Sequence, residues 1–430
     1  MHTNALFQAA LGLVPPWMVA DVTFDPQAAD GRGQLDLRLD FPAGSRFACP
    51  ECSAACPAHD TVSKTWRHLD FFQHVALLHA RVPRVTCPTH GVRLVSVPWA
   101  RDGSGFTLLF EAYVLVLARQ MPVAALSRFL RETDQRLWRV IQWHVDDARA
   151  SVDMSEVESV VVDETARARG QNYVSVVMEP ARRDADGAPV APARVLFVAD
   201  GRTHQVFHDF VADLEAHGGR AAAIRDVCMD MSAAFQRGAA ETVPTAAITF
   251  DRFHVMKLAG EAVDETRRRE QASCPELKGT RRTWLGNPRN LSAKRFEQLE
   301  SLSARNLFTA RAYHMRLNLQ ELWEHASLPA ARQHLRSWTK WVVAATRRPR
   351  EEGATWMLES MRRLANTVRT HEAGILNYFR RRQTSGVVEG LNSKVQAARA
   401  RARGYRNPET YKTIIYLIAG QLQFDLPATH

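Results

Sequence analysis

The sequence predicts a multi-domain protein of mixed α/β and all-α class, and three patterns support this prediction. Apolar and polar residues alternate within residues 1–100, as they do in half-buried strands. Residues 106–150 change to helical spacing, and from residue 157 apolar strand candidates alternate with helices. Residues from about 252 to 385 show helical spacing and no strand candidate. A chain of 430 residues is long enough for two or three ordinary domains.

The basic composition is compatible with a nucleic-acid partner but does not establish one. The chain carries 56 Lys and Arg against 46 Asp and Glu, which gives a formal net charge of +10. Such an excess is typical of proteins that bind acidic polymers, of which DNA is the commonest, but GC-rich coding of Ala and Arg produces the same balance. No run approaches the roughly 18 apolar residues that span a bilayer, and residues 1–16 lack the basic start of a signal peptide. We therefore expect a cytoplasmic protein without membrane contact.

A β-rich unit is predicted for residues 1–100. Residues 18–25 and 34–41 alternate as strands do, and residues 75–90 are interpreted as another strand that runs into a turn. Between them lie the Cys49-Pro-Glu-Cys52 motif and then a polar stretch. Cys87-Pro-Thr-His90 closes the unit with a second pair of metal ligands.

These two motifs predict a structural zinc site. Each tight turn places two ligands on one side, and two such turns complete a tetrahedron around Zn²⁺ with no position left for water. Cys56 and His59 are spare ligands, and buried free cysteines are the alternative. Because no export signal precedes the cysteines, metal is favoured over a disulfide framework.

Residues 101–150 are predicted to form a helix-turn-helix. One helix covers residues 106–120, Pro122 begins a second, and Thr133 is suited to cap a third. The residues expected on the apolar faces are Val123, Leu126, Phe129, Leu130, Leu137, Val140, Ile141 and Val145. Arg136, Arg139 and Gln142 lie on the outer side, where they could reach base edges or phosphates. An ordinary helical hairpin with a solvated face would show the same pattern.

Residues 151–260 are predicted to form a mixed sheet with flanking helices. The strand candidates are 158–164, 172–179, 193–201, a short strand reaching Asp230, and 245–251. Asp163 and Asp230 are expected at strand ends, where acids are unfavourable unless paired, capping or metal-bound. Helix capping is the alternative for Asp163 and Asp230. Asp200, in a predicted turn, and Asp226, earlier in the short strand, are competitors for the place of Asp230.

A third acid, Glu389, opens a predicted helix. Residues at spacings of three and four share one face of that helix: Glu389, Asn392, Gln396, Arg399 and Arg403. The acidic end could hold a metal while the basic end follows a phosphate backbone; a solvated face is the alternative.

These segments together resemble the DDE transposases of the ISL-three family of bacterial insertion sequences. The resemblance covers nearly the whole chain and rests mainly on ITFDRFHV, residues 248–255, and VEGLNSKVQ, residues 388–396. It implies an RNase H-like catalytic fold over residues 151–260 and 386–430, split by a helical insertion at 261–385. It also implies that Asp163, Asp230 and Glu389 bind Mg²⁺ or Mn²⁺, and that Asp251 and His254 support them. His90 departs from the expected Cys, which leaves the exact zinc ligands open.

The activity implied by the resemblance is cleavage at the inverted repeats of an insertion sequence, followed by transfer of the freed strand to target DNA. The ribbon and the helix-turn-helix would hold double-stranded DNA, and pairing two ends requires a homodimer or larger assembly at the nucleoid. The alternative is a catalytically inactive DNA-binding regulator derived from a transposase. A different nuclease or an unrelated zinc hydrolase fits the motifs less well.

Overall fold

The computed structural model describes residues 3–167, 173–184, 186–305, 307–347, 354–381 and 386–427, with backbone alone at 347, 354–355, 381 and 386–389. The chain divides into two compact units. The first comprises Met1–Arg149 together with Leu422–His430, and the second comprises Ala150–Gln421. The late segment contributes Leu422, which is buried, and Phe424, whose ring lies 5.5 Å from the guanidinium of Arg119.

A six-stranded sheet forms the first part of the first unit. Its strands are β1 (Met18–Asp25), β2 (Gln34–Asp40), β3 (Arg46–Ala48), β4 (Ala55–Phe71), β5 (His74–Cys87) and β6 (Gly91–Leu94). Their order is β1-β2-β5-β4-β3, with β6 beside β5. Helix α1 (Thr3–Ala10) precedes the sheet, and a single helical turn, α2 (Ala28–Gly31), lies between β1 and β2.

Strand β4 occupies the region where the sequence predicted only a polar stretch. Most of its side chains are exposed before Trp66, so no apolar alternation marks it in the sequence. Its backbone pairs with β5 from Ala58 to Phe71 in an antiparallel ladder. Main-chain hydrogen bonds therefore hold this part of β4 in the sheet, although most of its side chains are not buried. Aromatic residues fill the core beneath the sheet, where the Trp17 and Trp99 rings lie 4.8 Å apart in an edge contact.

Three helices complete the first unit: α3 (Leu108–Ala118), α4 (Val123–Leu130) and α5 (Asp134–Ala150). Thr133 Oγ1 accepts a hydrogen bond of 3.4 Å from the backbone N–H of Arg136, as predicted for a cap. The predicted apolar faces of α4 and α5 are buried with one exception. The prediction for Phe129 was wrong: its side chain is 59% exposed, because burial on α4 follows Val123, Leu126 and Leu130.

The second unit is built on a five-stranded mixed sheet. Its strands are β7 (Ser159–Ala166), β8 (Tyr173–Glu179), β11 (Arg194–Asp200), β12 (Asp226–Met229) and β13 (Ala247–Phe250). Their order is β11-β8-β7-β12-β13, with β8 antiparallel to its neighbours and β12 parallel to β7 and β13. The predicted mixed sheet of RNase H-like type is confirmed. A small hairpin of β9 (Arg182–Arg183) and β10 (Pro189–Ala191) occupies the predicted polar turn.

Helices account for most of the remainder of this unit. They are α6 (Gln205–Ala216), α7 (Ala233–Thr242), α8 (Arg252–Glu270), α9 (Arg281–Leu285), α10 (Ala293–Ser303), α11 (Phe308–Glu321), α12 (Leu328–Arg347), α13 (Ala354–Met357), α14 (Glu359–Thr370), α15 (Glu372–Arg381), α16 (Gly386–Arg401) and α17 (Pro408–Ala419). Between residues 252 and 381, the described backbone contains helices and short 3₁₀ turns and no strand, as predicted.

Both faces of the five-stranded sheet are covered. On one face, Val160 and Val162 belong to a core that extends through Phe207 to Trp284 and Trp338 of the helical region. On the other face, Val161 belongs to a core with residues of α16 and α17, among them Leu391, Val395 and Ile415. Burial on both faces explains why the strands read as nearly continuous apolar runs.

Candidate active site and zinc-ribbon cluster

Three aspartates lie at one edge of the five-stranded sheet because of how its parallel strands are paired. Val161 of β7 is opposite Cys228 of β12, and Met229 of β12 is opposite Phe250 of β13. Asp163 and Asp230 each lie two residues after the Val161–Cys228 pair, and Asp230 and Asp251 each directly follow the Met229–Phe250 pair. Parallel strands that end at the same level bring their following residues to one edge.

Asp163 lies inside its strand, where the sequence predicted a strand end. The parallel pairing of β7 with β12 stops at Val161, but the antiparallel pairing with β8 continues to Ala166 and includes Asp163 opposite Val176. Pairing with β8 therefore extends β7 past Asp163, and the residues around Asp163 contain no signal for this pairing.

Hydrogen bonds connect this aspartate to two other elements. The Oδ1 atom of Asp163 accepts from the backbone N–H of Glu164 at 2.8 Å, and Oδ2 accepts from the side-chain amide of Asn392. Nε2 of His254 lies 4.0 Å from Oδ1 of Asp163, while Nδ1 lies 2.9 Å from a carboxylate oxygen of Asp251. Asp251 also caps α8 by accepting from the backbone N–H of Phe253 at 3.1 Å. The Asp-x-x-His motif thus lies beside Asp163.

The electrostatics indicate a concentration of negative charge. Burial raises the pKa of Asp163, and burial together with the nearby charge of Asp230 raises the pKa of Glu164. The hydrogen bond to Asp251 raises the pKa of His254, with further contributions from Asp163 and Asp230. Carboxylates gathered this closely repel one another until a cation joins them, which is the chemistry of a divalent-metal site.

Helix α16 brings its predicted polar face against β7. Asn392 reaches Asp163, the side-chain amide of Gln396 donates to Thr165 Oγ1, and Arg399 donates to the carbonyl of Ala166 at 2.6 Å. These three side chains are hydrogen-bonded within the protein, whereas the sequence placed them on DNA. Glu389 lies in the first turn of α16, one turn before Asn392, and its side chain falls outside the described residues. Arg403 follows the helix and is exposed.

Sequence reasoning did not assign Glu164 a role. It is half-buried, next to Asp163 in the chain, and its carboxylate lies 3.4 Å from the guanidinium of Arg202. The adjacent acids in VVVDE were the available signal.

The competing acids lie elsewhere. Asp226 begins β12 and so occupies the opposite end of the strand from Asp230, about 13 Å away at the usual rise per residue. Asp200 ends β11, which β8 and β7 separate from β12, and it forms an ion pair of 2.8 Å with Lys412.

In the first unit, the four predicted zinc ligands form one cluster. One ligand atom from each of Cys49, Cys52, Cys87 and His90 lies within 4.8 Å of all the others. The Cys52 and Cys87 sulfurs are 3.6 Å apart, and Nδ1 of His90 is 3.6 Å from the Cys87 sulfur. The cluster joins the turn after β3 to the turn between β5 and β6, and Ser53 adopts a left-handed φ of 59° in the first of these turns.

The surroundings favour the thiolate form at Cys49 and Cys87, whereas the pKa of Cys52 is raised, and the two spare ligands lie outside the cluster. Backbone N–H groups of His90 and Thr89 lower the pKa of Cys87 to about 6, and a backbone hydrogen bond from Glu51 lowers the pKa of Cys49. The thiolate is the form that ligates zinc. Cys56 donates instead to the carbonyl of Ala54 at 3.4 Å, and His59 is exposed outside the four-residue group.

The predicted DNA-contacting residues of α5 differ in their surroundings. The guanidinium of Arg136 lies 4.2 Å from the centre of the Phe106 ring and 2.5 Å from the carboxylate of Glu132. Arg139 is exposed, and Gln142 is half-buried.

Comparison with known proteins decides the family. A family described as "Transposase" matches residues 160–415, more than half of the chain, and these residues include the aspartate edge and α16. This chain belongs to the ISL3 family of transposases. The DNA-binding part of the transposase matches separately: the "Helix-turn-helix domain of transposase family ISL3" at residues 95–145 and the "zinc-finger of transposase IS204/IS1001/IS1096/IS1165" at residues 45–90.

Two relatives show that the likeness extends along the whole transposase. The transposase for insertion sequence element IS1001 of Bordetella parapertussis is 27% identical over 389 residues, covering 86% of this chain and 88% of the relative. The transposase for IS1557 of Mycobacterium tuberculosis is 24% identical over 461 residues, covering 100% of this chain and 98% of the relative. The predicted family and function are confirmed. Among the described helices, none has the length and apolar character to cross a membrane.

Proposed function

We propose that the transposase cleaves and joins DNA at the ends of its insertion sequence, using a divalent metal held by Asp163, Asp230 and Glu389. The observation that carries this proposal is the hydrogen bond from Asn392 to Asp163. Asn392 lies one turn after Glu389 on α16, so this bond attaches the first turns of that helix to the strand that carries Asp163. Asp230 lies at the same sheet edge on the neighbouring strand.

The residues present suit Mg²⁺ or Mn²⁺. These hard cations prefer carboxylate oxygens, and burial with mutual repulsion makes the uncompensated carboxylates unfavourable. When bound, such an ion supplies activation of the attacking oxygen and stabilisation of the leaving oxygen. Asn392 and the backbone of Glu164 orient the Asp163 carboxylate, while Asp251 orients His254 beside it.

The reaction has two displacements at one site. Water attacks the phosphodiester at the end of the element, the bond to the bridging oxygen breaks, and a 3′-hydroxyl is released. That hydroxyl then attacks a target phosphodiester, forms the new bond and expels a target 3′-oxygen. The contribution of the chain is to position the reacting groups in line.

The first unit would hold the terminal inverted repeats. Zinc bound by Cys49, Cys52, Cys87 and His90 would fix the ribbon, and α5 would present Arg136, Arg139 and Gln142 to double-stranded DNA. Two ends must be paired, so we propose a homodimer or larger assembly on DNA at the nucleoid. The proposed segments are the ribbon to residue 100, the helix-turn-helix to 150, the catalytic parts at 151–260 and 386–430, and the helical insertion between them.

The test is cleavage of a duplex that carries the inverted repeat, with Mg²⁺ or Mn²⁺. Asp163→Ala, Asp230→Ala and Glu389→Ala should bind this duplex like the wild type and fail to cut it. Asp200→Ala is the matched control and should cut normally, because Asp200 lies two strands away from β7. If one of these three variants still cuts the duplex, the substituted residue is not part of the active site. Wild-type protein that binds the repeat and never cuts it supports the regulator.

Zinc is tested separately by metal content. The purified transposase should contain one zinc per chain, and Cys49→Ser or Cys87→Ser should lose it. Cys56→Ser should retain it, because the Cys56 thiol lies outside the four-residue cluster. Equal loss in all three variants would contradict the ligand set.

A further inference from the structure

The hairpin between β4 and β5 ends in an exposed aromatic residue. Phe71 pairs with His74, so Phe72 and Gln73 form a two-residue turn. The Phe72 side chain is 83% exposed, and its backbone adopts a left-handed φ of 56°. Two-residue hairpin turns with positive φ at the first central position favour glycine there, since glycine lacks the Cβ that opposes this conformation.

Phe72 therefore carries two local disadvantages. A left-handed conformation is unfavourable for a bulky side chain, and an exposed ring gains no burial in exchange. Glycine at this position would remove both. The Phe72 ring lies 4.6 Å from the ring of Phe71, whose side chain is itself 37% exposed, so this contact buries little apolar surface and the two rings form an apolar tip that suits a partner.

The turn is nevertheless held rigidly. The guanidinium of Arg131 donates to the backbone carbonyl of Gln73 at 2.9 Å and forms an ion pair with Asp70. The guanidinium of Arg67, which is only 7% exposed, pairs with the same carboxylate. The contacts of Arg131 and Arg67 therefore fix the position of the turn that carries Phe72.

Both arginines connect the turn to the helix-turn-helix. Arg131 directly follows α4, three residues before α5 begins. The backbone N–H of Arg67 donates to the carbonyl of Gly105 at 2.9 Å, and its carbonyl accepts from Thr107, the cap of α3, at 3.0 Å. The hairpin and the helices belong to the same unit, and the contacts of Arg131 join the turn directly to the segment between α4 and α5.

We propose that Phe72 is a wedge that enters the minor groove of the DNA beside the segment bound by α5. This inference rests on the proposed binding of the inverted repeats by the helix-turn-helix. Apolar side chains that enter the minor groove separate stacked bases and kink the duplex. Arg32 is exposed at the same end of the sheet, where its carbonyl contacts the His74 ring, and it supplies a cation for the flanking phosphates.

The experiment uses the full-length transposase and an inverted-repeat duplex in which 2-aminopurine replaces one base at a time along the repeat. Fluorescence of 2-aminopurine rises when the base loses its stacking partners. Wild type should brighten one position beside the α5 site, and Phe72→Trp should do the same. Phe72→Gly should abolish that signal and weaken binding about tenfold. Its melting temperature should be close to that of the wild type, because relief of the left-handed strain offsets the loss of one exposed ring contact with Phe71.

Phe296→Ala is the control, since Phe296 is also exposed, at 41%, but lies on α10 of the other unit. It should leave both the signal and the affinity unchanged. Wild-type affinity and signal in Phe72→Gly would overturn the wedge and leave the proposed function intact. A change of oligomeric state in Phe72→Gly without DNA, at an unchanged 2-aminopurine signal, would show a protein interface instead and would also overturn it. Wild-type protein that does not bind the repeat would overturn the proposed end recognition and the wedge together.

Discussion

At the scale of single residues, the two oxygens of Asp163 have different roles in holding the side chain. Oδ1 accepts from the backbone of its neighbour, and Oδ2 accepts from Asn392 on a helix more than two hundred residues later in the chain. A carboxylate fixed at both oxygens points in one direction before any ligand arrives. Hydrogen-bond partners of this kind commonly determine the affinity of a metal site.

Replacement of Asn392 by Ala should therefore slow DNA cleavage by about 10- to 100-fold and raise the concentration of Mg²⁺ needed for half-maximal rate. The expected cause is an Asp163 carboxylate held at Oδ1 alone and no longer fixed at Oδ2, and DNA affinity should not change. Ser393→Ala is the control, because Ser393 is the exposed neighbour on the same helix. Equal slowing in both variants, or a loss of DNA binding in Asn392→Ala, would contradict a positioning role.

A second residue-scale prediction concerns His68 and pH. Its ring lies 2.9 Å from Thr107 Oγ1, and burial lowers its pKa to about 4. In the unfolded chain the imidazole titrates near pH ~6.5, so between these values the unfolded state binds more protons than the folded state. Stability should consequently fall as the pH drops from about 6.5 to about 4, by an amount on the order of 3 kcal/mol.

The measurement is urea unfolding of the first unit, followed by Trp fluorescence across this range of pH. His68→Gln should remove this part of the acid destabilisation, while His59→Gln, at an exposed position, should retain it. Identical pH profiles for wild type and His68→Gln would show that other groups cause the acid sensitivity.

At the scale of secondary-structure elements, α11 begins without a capping side chain of its own and is capped from α8. Both oxygens of the Glu270 carboxylate are used: the backbone N–H groups of Phe308 and Thr309 donate at 2.7 Å, and the Thr309 hydroxyl donates at 2.6 Å. Glu270 is buried, so this carboxylate replaces solvent at the positive end of the helix.

Glu270→Ala should lower the free energy of unfolding of the second unit by about 2 kcal/mol, because buried backbone donors lose their acceptor. Thermal unfolding followed by circular dichroism measures the effect. Glu297→Ala, at an exposed position on α10, should change stability little. A similar loss in both variants would contradict the cap.

The elements that could be predicted from the sequence are those whose residue types follow a regular period along the chain. β1 coincides with its predicted range because its apolar and polar residues alternate, and the helical spacing of α5 identified its buried face. β4 escaped prediction because its stability comes from backbone pairing with β5. Spacing also showed that Asn392, Gln396 and Arg399 share a face. The spacing could not show that β7 covers that face, because the period of a helix does not indicate which element packs against it.

At the scale of the whole molecule, the helical region of the second unit shares a core with the sheet. Trp284 and Trp338 belong to the same buried cluster as Val160 and Phe207. The predicted insertion is therefore part of the scaffold that supports the aspartate edge, although it enters the chain between the two segments that we propose to be catalytic.

Replacement of residues 261–385 by a short linker should prevent folding of the second unit, because large apolar side chains of the sheet would lose their partners. Near-ultraviolet circular dichroism and urea unfolding would detect the loss. Shortening the exposed hairpin of β9 and β10 is the control and should leave a cooperative transition. A cooperative transition in the deletion variant would show that the sheet has an independent core.

Leu422 and Phe424 belong to the first unit, yet they follow the entire second unit in the chain. The ribosome therefore makes the second unit, with its aspartate edge, before the first unit receives these two packing residues. Chains that terminate early within the second unit lack both side chains, so their first units are less stable. First units that contain both of these packing residues therefore occur only in molecules that already carry the second unit.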